Sequence, residues 1–181
     1  MRLAFTQGDS HKWWVAGATG LGIVTTVVDQ SSVNVALPTI ANHFNADLPS
    51  VQWVTAGYIL TTSVLLLPMG RLSDVLGRKR VFVMGFLVFM LSALLAGSAN
   101  SLLVIIVAKV FQGVGSAMIQ ATSMAIIISA FGSHQRGTAL GMNNTAVGIG
   151  SITGPILGGF LITALGWPPS FSSTCRWGSS A

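Results

Sequence analysis

Five long apolar runs, at residues 13–37, 51–69, 81–99, 102–130 and 138–165, leave this chain few ways to fold. Each is long enough to cross about 30 Å of hydrocarbon as an α-helix rising about 1.5 Å per residue. Charge usage agrees: only 7% of the 181 residues are charged and 51% are hydrophobic, whereas a soluble domain is roughly a quarter charged. The expected fold class is therefore an all-α membrane protein with about five transmembrane helices. A pI of 10.4 would suit a nucleic-acid binder, but such proteins spread basic side chains over a surface. Here the apolar runs carry almost none, so the lipid bilayer is the expected partner and nucleic acid is not. The first run is too long for a cleavable signal peptide and is interrupted by Asp29, Gln30 and Asn34.

The basic residues fix an orientation. With the N-terminus inside, Arg2, Lys12, Arg71, Arg78, Lys79, Arg80 and Arg136 lie on the cytoplasmic side, Arg176 alone lies outside and Lys109 falls within a span. The positive-inside rule favours that arrangement. Residues 1–12 are then a cytoplasmic tail and 13–165 the membrane domain of a multi-pass protein of the cytoplasmic (inner) membrane. Trp13, Trp14, Trp53 and Trp167 sit near span ends, as interfacial anchors do.

The stretch "GRLSDVLGRKR", residues 70–80, gathers four of the nine basic residues and one of the four acids between the second and third spans. Topology accounts for the Lys and Arg but not for Asp74 or the glycines. Gly70, Leu72, Asp74, Gly77, Arg78 and Lys79 resemble the G-x-L-x-D-x-x-G-R-K pattern between helices two and three of the major facilitator superfamily. The resemblance implies a latch: Asp74 and Arg78 would pair with each other and with the neighbouring half in one conformation. A carboxylate and a guanidinium can form charge-assisted bonds that exist in one arrangement and break in another. The plain alternative is a solvated turn.

In the first span, "VVDQSSVNVALPTI", residues 27–40, looks like the D-x-x-x-x-N-V-A-L-P signature of the fourteen-helix drug:proton antiporters, with Asn34 as its asparagine. Asp29 lies well inside the span, where an acidic side chain costs roughly 2.5 to 3.5 kcal/mol. Gly22, Thr25, Thr26, Asp29, Ser32 and Ala36 fall at steps of three and four, giving one small or polar face that should point inward. Asp29 is either the carrier of the coupling proton or a structural carboxylate paired to a neighbouring helix.

The fourth span contains "KVFQGVGSA", residues 109–117, similar to the family's R-x-x-Q-G-x-G-x-A motif, with Lys109 in place of the usual Arg and with Gln112 and Gly113 matching. Lysine keeps the charge but loses the planar fork that grips carboxylates. Lys109, Gln112, Ser116, Gln120 and Ser123 form a polar stripe at helical spacing that should face a cavity or another helix. Lys109 either takes part in proton coupling or snorkels to the interface.

The fifth span reads "GIGSITGPILGGF", residues 148–160, resembling the G-x-x-x-G-P-x-x-G-G motif of exporters in this superfamily. Gly150, Gly154 and Gly158 put a bare backbone groove on one face, Pro155 removes a helical hydrogen bond, and Gly159 completes the motif. Generic small-residue packing is the alternative.

By resemblance, the chain corresponds to an incomplete N-terminal half of a major facilitator fold. The implied function is proton-coupled efflux of drugs or other small hydrophobic or cationic compounds by a secondary transporter rather than an enzyme. It would bind a small-molecule substrate in the full-length protein and need the missing C-terminal helices. The alternatives are a non-transporting membrane fragment and a proton-coupled uptake permease of the same superfamily. No cofactor is expected, the proton gradient being the energy source, because no G-x-x-x-x-G-K-[ST] loop is present. His11, His43, His134 and the single Cys175 show no ligand spacing, so no metal is expected.

Residues 166–181 form an atypical tail. Trp167 and Phe171 still match the family's G-W-R-W-x-F-x-I-N-V-P continuation, but Pro168 and Pro169 do not, and beyond Phe171 the match stops. One permitted codon choice for residues 171–178, TTC TCA TCA ACG TGC CGA TGG GGT, gives Leu-Ile-Asn-Val-Pro-Met-Gly when read from its third base. Residues 172–181 are accordingly expected to be out-of-frame translation after a one-base loss.

The topology is testable by cysteine labelling in a Cys175→Ser background. Ser50→Cys should react with an impermeant maleimide from outside, and Ser133→Cys only after permeabilisation. The reverse pattern would invert the assignment.

Overall fold

The computed structural model describes residues 9–131 and 136–165. The tail from residue 166 onward, and with it the reading-frame expectation, lies outside the described residues, as does Ser133. The described chain is five helices: α1 (Asp9–Phe44), α2 (Leu48–Leu76), α3 (Arg78–Gly97), α4 (Leu102–Phe131) and α5 (Arg136–Leu165). No strand occurs among the described residues. Each apolar run lies in its own helix, which is what hydrocarbon requires, since a helix satisfies its backbone groups within the segment. Among the described residues, α2, α3 and α4 are long and apolar enough to cross a membrane by length and composition. The runs in α1 and α5 are diluted by Gly, Ser, Thr and Asn, and some of those residues, Gly22, Gly150, Gly154 and Gly158 among them, meet other helices.

The connections are short. Asp47 is extended before α2, Pro49 occupies its first turn, and Val51 N–H donates to Asp47 C=O at 3.2 Å. Gly77 alone joins α2 to α3 with φ at +96°, a conformation that a side chain would strain. Its N–H closes α2 on Ser73 C=O at 3.0 Å, while its own C=O receives Arg80 N–H and Val81 N–H at 3.1 and 3.2 Å. The second glycine of the latch motif is thus explained by backbone geometry. Gly70, in contrast, has open space where a Cβ would stand.

Packing centres on α4, which touches all four other helices, and α1 and α5 form a second close pair. Glycines set the approach distances. A Cβ on Gly115 would come within 2.6 Å of Phe89 N and 2.7 Å of Gly85 O on α3, and one on Gly113 within 2.8 Å of Tyr58 O on α2. Near one end, Ala36, Ile40, Ala41, Val51, Val54, Ala99 and Ile105 form an apolar plug. At mid-depth, Tyr58, Phe89 and Ile119 pack with Phe82 and Phe86. Large apolar side chains such as Leu67, Val75, Leu94 and Ile152 point outward, as the lipid-facing surface of a membrane bundle should.

The polar face expected of α1 is narrower than its spacing suggested. Gly22, Thr26 and Ala36 are buried and Asp29 and Ser32 half-buried, but Thr25 is exposed and donates to Leu21 C=O of its own helix at 2.8 Å. A hydroxyl can be satisfied by its own preceding turn, so Thr25 needs no interior partner.

Substituting Gly115 by Ala forces a methyl into the α3 backbone and should destabilise the bundle by about 1 to 3 kcal/mol. Gly97→Ala, which meets open space, should leave it unchanged. Thermal unfolding of both variants in one detergent tests this.

Candidate functional site

Asp29 on α1 and Lys109 on α4 meet inside the bundle. Lys109 Nζ donates to Asp29 Oδ2 at 2.8 Å, with side-chain exposures of 7% for the lysine and 26% for the aspartate. The lysine therefore does not snorkel. α1 and α4 can approach this closely because Gly22, seven residues before Asp29, sits against Ile119 of α4 and Phe82 of α3. Asp29, Gln30 and Val33 of α1, Val54, Thr55 and Tyr58 of α2, and Lys109 line one cleft, with the ion pair in its wall. Asn34, at the exposed rim one turn beyond, accepts a hydrogen bond from Thr55 Oγ1 at 3.3 Å.

A third group completes the site. The Tyr58 ring lies below Lys109, with Nζ 5.9 Å from its centroid, within cation–π range. The ring is fixed at its far end, where its hydroxyl donates to Ser116 Oγ at 2.7 Å and Gln120 Nε2 donates to the same oxygen at 2.8 Å. The α4 stripe is interior throughout: Lys109, Gln112, Ser116 and Ser123 are buried and Gln120 half-buried. Gln112 is fully buried, and neither its amide oxygen nor its amide nitrogen has a hydrogen-bond partner in the protein; the Ser123 hydroxyl is in the same position.

The latch residues sit at one end of α2 and α3. Arg78 Nη2 and Nε donate to Asp74 Oδ1 at 3.2 and 3.4 Å, an exposed i, i+4 pair, and Nη1 donates to Ala125 C=O of α4 at 2.8 Å. Such an exposed pair alone contributes little; the bond to Ala125 is what ties the turn to α4. Lys79 is exposed.

The glycines of α5 lie against α1. A Cβ on Gly150 would come within 2.8 Å of Val27 Cβ and one on Gly158 within 2.9 Å of Ser32 Cα, while one on Gly154 would collide with Ser31 Cβ. Ser32 Oγ bridges the seam, 2.8 Å from Gly154 C=O and 2.7 Å from Val28 C=O. Pro155 is exposed on the opposite side of an unbroken helix, and Gly159 is half-buried with open space at its Cβ position.

Asp29 and Lys109 are thus brought to one cleft with Asn34 bonded to Thr55 of its lining, Gln112 and Gly113 to the buried side of α4, and the latch and the glycine seam to separate places. Sequence reasoning missed Tyr58, Ser31 and the direct pairing of Asp29 with Lys109. The available signal for Tyr58 was its being the chain's single tyrosine, set in an apolar run.

The profile of the Major Facilitator Superfamily matches residues 19–175, and the chain belongs to that superfamily of membrane transporters. It is 34% identical over 161 residues to the riboflavin transporter RibZ of Clostridioides difficile, covering 89% of this chain and 35% of that protein. It is 37% identical to the multidrug resistance protein Stp of Mycobacterium tuberculosis (CDC 1551 / Oshkosh) over 85% of this chain and 29% of Stp. The drug efflux pump JefA of the same strain is 38% identical over 85% of this chain and 30% of JefA. The chain therefore spans about a third of the length of these relatives. Its fold resembles part of a solved structure of a bacterial homologue of the human lysosomal transporter Spinster, itself described as inward-facing and unoccupied, with a TM-score of 0.79 at 18% identity over 94% of this chain and 35% of that one.

Removing one member of a buried ion pair strands the other. Lys109→Met should lower stability by about 3 kcal/mol, and adding Asp29→Asn should recover most of that loss. Denaturant unfolding of the two single variants and the double variant measures the coupling directly.

Proposed function

We propose that this chain forms the first helices of a proton-coupled exporter of drugs or other small hydrophobic or cationic compounds in the cytoplasmic membrane, with its N-terminus inside. The observation that carries the reading is the Asp29–Lys109 pair, a carboxylate held within a membrane bundle by a single buried cation. A carboxylate in that setting exchanges its proton and its partner together: protonation removes the coulombic attraction to Lys109, and deprotonation restores it. A proton gradient can therefore act on the contact between α1 and α4 without any cofactor. The Asp74–Arg78–Ala125 cluster serves as the conformational latch, and the α1–α5 glycine seam as a close contact beside the titrating residue. The relatives named for drug efflux and multidrug resistance support export of such compounds.

A second reading, a carrier for a polar heteroaromatic solute, draws on the riboflavin transporter among the relatives. The two differ in cargo and share the coupling site.

The test uses a protein of the relatives' full length that carries these five helices. Asp29→Asn keeps size and removes the titratable proton, so efflux driven by a pH gradient should fall to near background while drug binding persists. Undiminished gradient-driven efflux removes Asp29 from the mechanism. Lys109→Arg, which retains the charge, should keep most of the activity.

A further inference from the structure

Lys109 has two partners of different kinds, and only one of them titrates in the proposed cycle. Asp29 Oδ2 lies 2.8 Å from Nζ on one side and the Tyr58 ring lies 5.9 Å from it on another. Among the described residues these are the charged or aromatic groups in contact with the ammonium, Asp29 from α1 and Tyr58 from α2. When Asp29 carries a proton the ammonium loses its counter-ion while remaining on a side chain that is only 7% exposed. Such a cation must leave for water, lose its own proton or find another source of negative potential. The face of an aromatic ring is such a source, and it is stronger where water is excluded.

The tyrosine is built to stay in place through that change. It is 3% exposed and packs with Phe89 and Ile119. Its hydroxyl is tied to Ser116, which Gln120 also contacts, so the hydroxyl end of the ring is fixed to α4, the helix that carries Lys109. Gly113 of α4 lies against the Tyr58 backbone, which holds α2 and α4 in register at this depth. The hydrogen bond and the packing that orient the ring are made to residues other than Asp29. Its hydroxyl points away from the ion pair toward Ser116, leaving the π face as the part presented to the cation.

We propose that Tyr58 is a positioning residue that acts through Lys109: its ring is the permanent seat of the ammonium, holding it beside Asp29 while that carboxyl is neutral. This rests on the reading of Asp29 as the proton carrier, because only then does Lys109 lose its counter-ion in each cycle. The seat prevents Lys109 from swinging out to the interface, so that the pair reforms as soon as Asp29 gives up its proton. It also gives the ring and the hydroxyl separate roles, the ring toward Lys109 and the hydroxyl toward Ser116.

The sequence makes the test direct, since the chain holds one tyrosine and three lysines, Lys12, Lys79 and Lys109. In the 181-residue chain, isotope-labelled at Lys and Tyr in bilayer nanodiscs, the Lys109 ε-methylene should show a through-space cross-peak to the Tyr58 ring and an upfield ring-current shift relative to exposed Lys79. Lys109→Arg assigns the signal by its disappearance. Asp29→Asn mimics the protonated carboxyl, and both signatures should survive it. Tyr58→Phe should keep the upfield shift, and Tyr58→Leu should lose it.

Absence of the cross-peak in the unsubstituted chain overturns the inference with no variant needed. Loss of both signatures in Asp29→Asn, with the Lys109 signal moving to the Lys79 position, also overturns it. That result leaves the coupling role of Asp29 to the efflux assay. Signatures that survive Asp29→Asn, alongside efflux that does not depend on Asp29, would support the seat while removing the coupling reading. In the full-length protein used for the efflux assay, Tyr58→Phe should rescue gradient-driven efflux relative to Tyr58→Leu. Equal loss in both would place the role in the hydroxyl and overturn the proposal.

Discussion

A charge inside a hydrocarbon layer must be partnered, and in this bundle one pair meets that demand. Asp29 and Lys109 are 80 residues apart in sequence, and their 2.8 Å contact fixes the depth at which α1 crosses α4. The contact needs close backbones, and small residues supply them: Gly22 lies under Ile119, while Gly113 and Gly115 bring α2 and α3 against the other faces of α4. Without those glycines the helices would stand too far apart for a lysine and an aspartate to meet away from water. The ion pair in turn makes the glycine packing specific, because a one-turn slip of α1 along α4 would leave two unpaired charges in an apolar medium.

α4 links events at different depths. Lys109 and the Ala125 carbonyl that receives Arg78 are sixteen residues apart on the same helix, a span of about 24 Å at the usual rise. Between them run Gln112, Ser116, Gln120 and Ser123, a polar edge on an otherwise apolar rod. The Tyr58 hydroxyl ties α2 to that edge. The latch turn and the carboxylate therefore share one rigid element as well as one polar seam, so a displacement of α4 is felt at both ends.

Much of this was legible in the sequence, for identifiable reasons. Five runs became five helices because the length of an apolar stretch and the need to satisfy its backbone are one-dimensional constraints. The buried stripe on α4 followed from helical spacing, and Gly77 followed from a motif whose geometry its φ explains. The pairing of Asp29 with Lys109 was not legible, since nothing in the spacing along either helix says which faces of α1 and α4 meet or in what register. Lys109 in particular lies near enough to the start of α4 that the sequence left snorkelling open, and its burial closes that alternative. Tyr58 was hidden for a different reason: its neighbours in the run are apolar, and its partner Ser116 is fifty-eight residues away. Thr25 shows the converse, a polar residue in the right register that its own helix satisfies.

On the proposed coupling role, the position of α1 between two unlike seams is what would give a proton on Asp29 a mechanical meaning. Toward α4, α1 is held by the ion pair and by the packing around Gly22. Toward α5, it is held by Gly150, Gly154 and Gly158 and by the Ser32 hydroxyl at the Gly154 carbonyl, none of which carries charge. Neutralising Asp29 removes the coulombic part of the first seam and leaves the second untouched. The two seams lie on the same few turns of one helix: Asp29 faces α4, while Val28, Ser31 and Ser32 face α5. In the proposed cycle, a change in protonation there would weaken the attachment of the α1–α5 pair to the rest of the bundle at the point where the pair itself is closely joined, and the motion it would permit is that of two helices together.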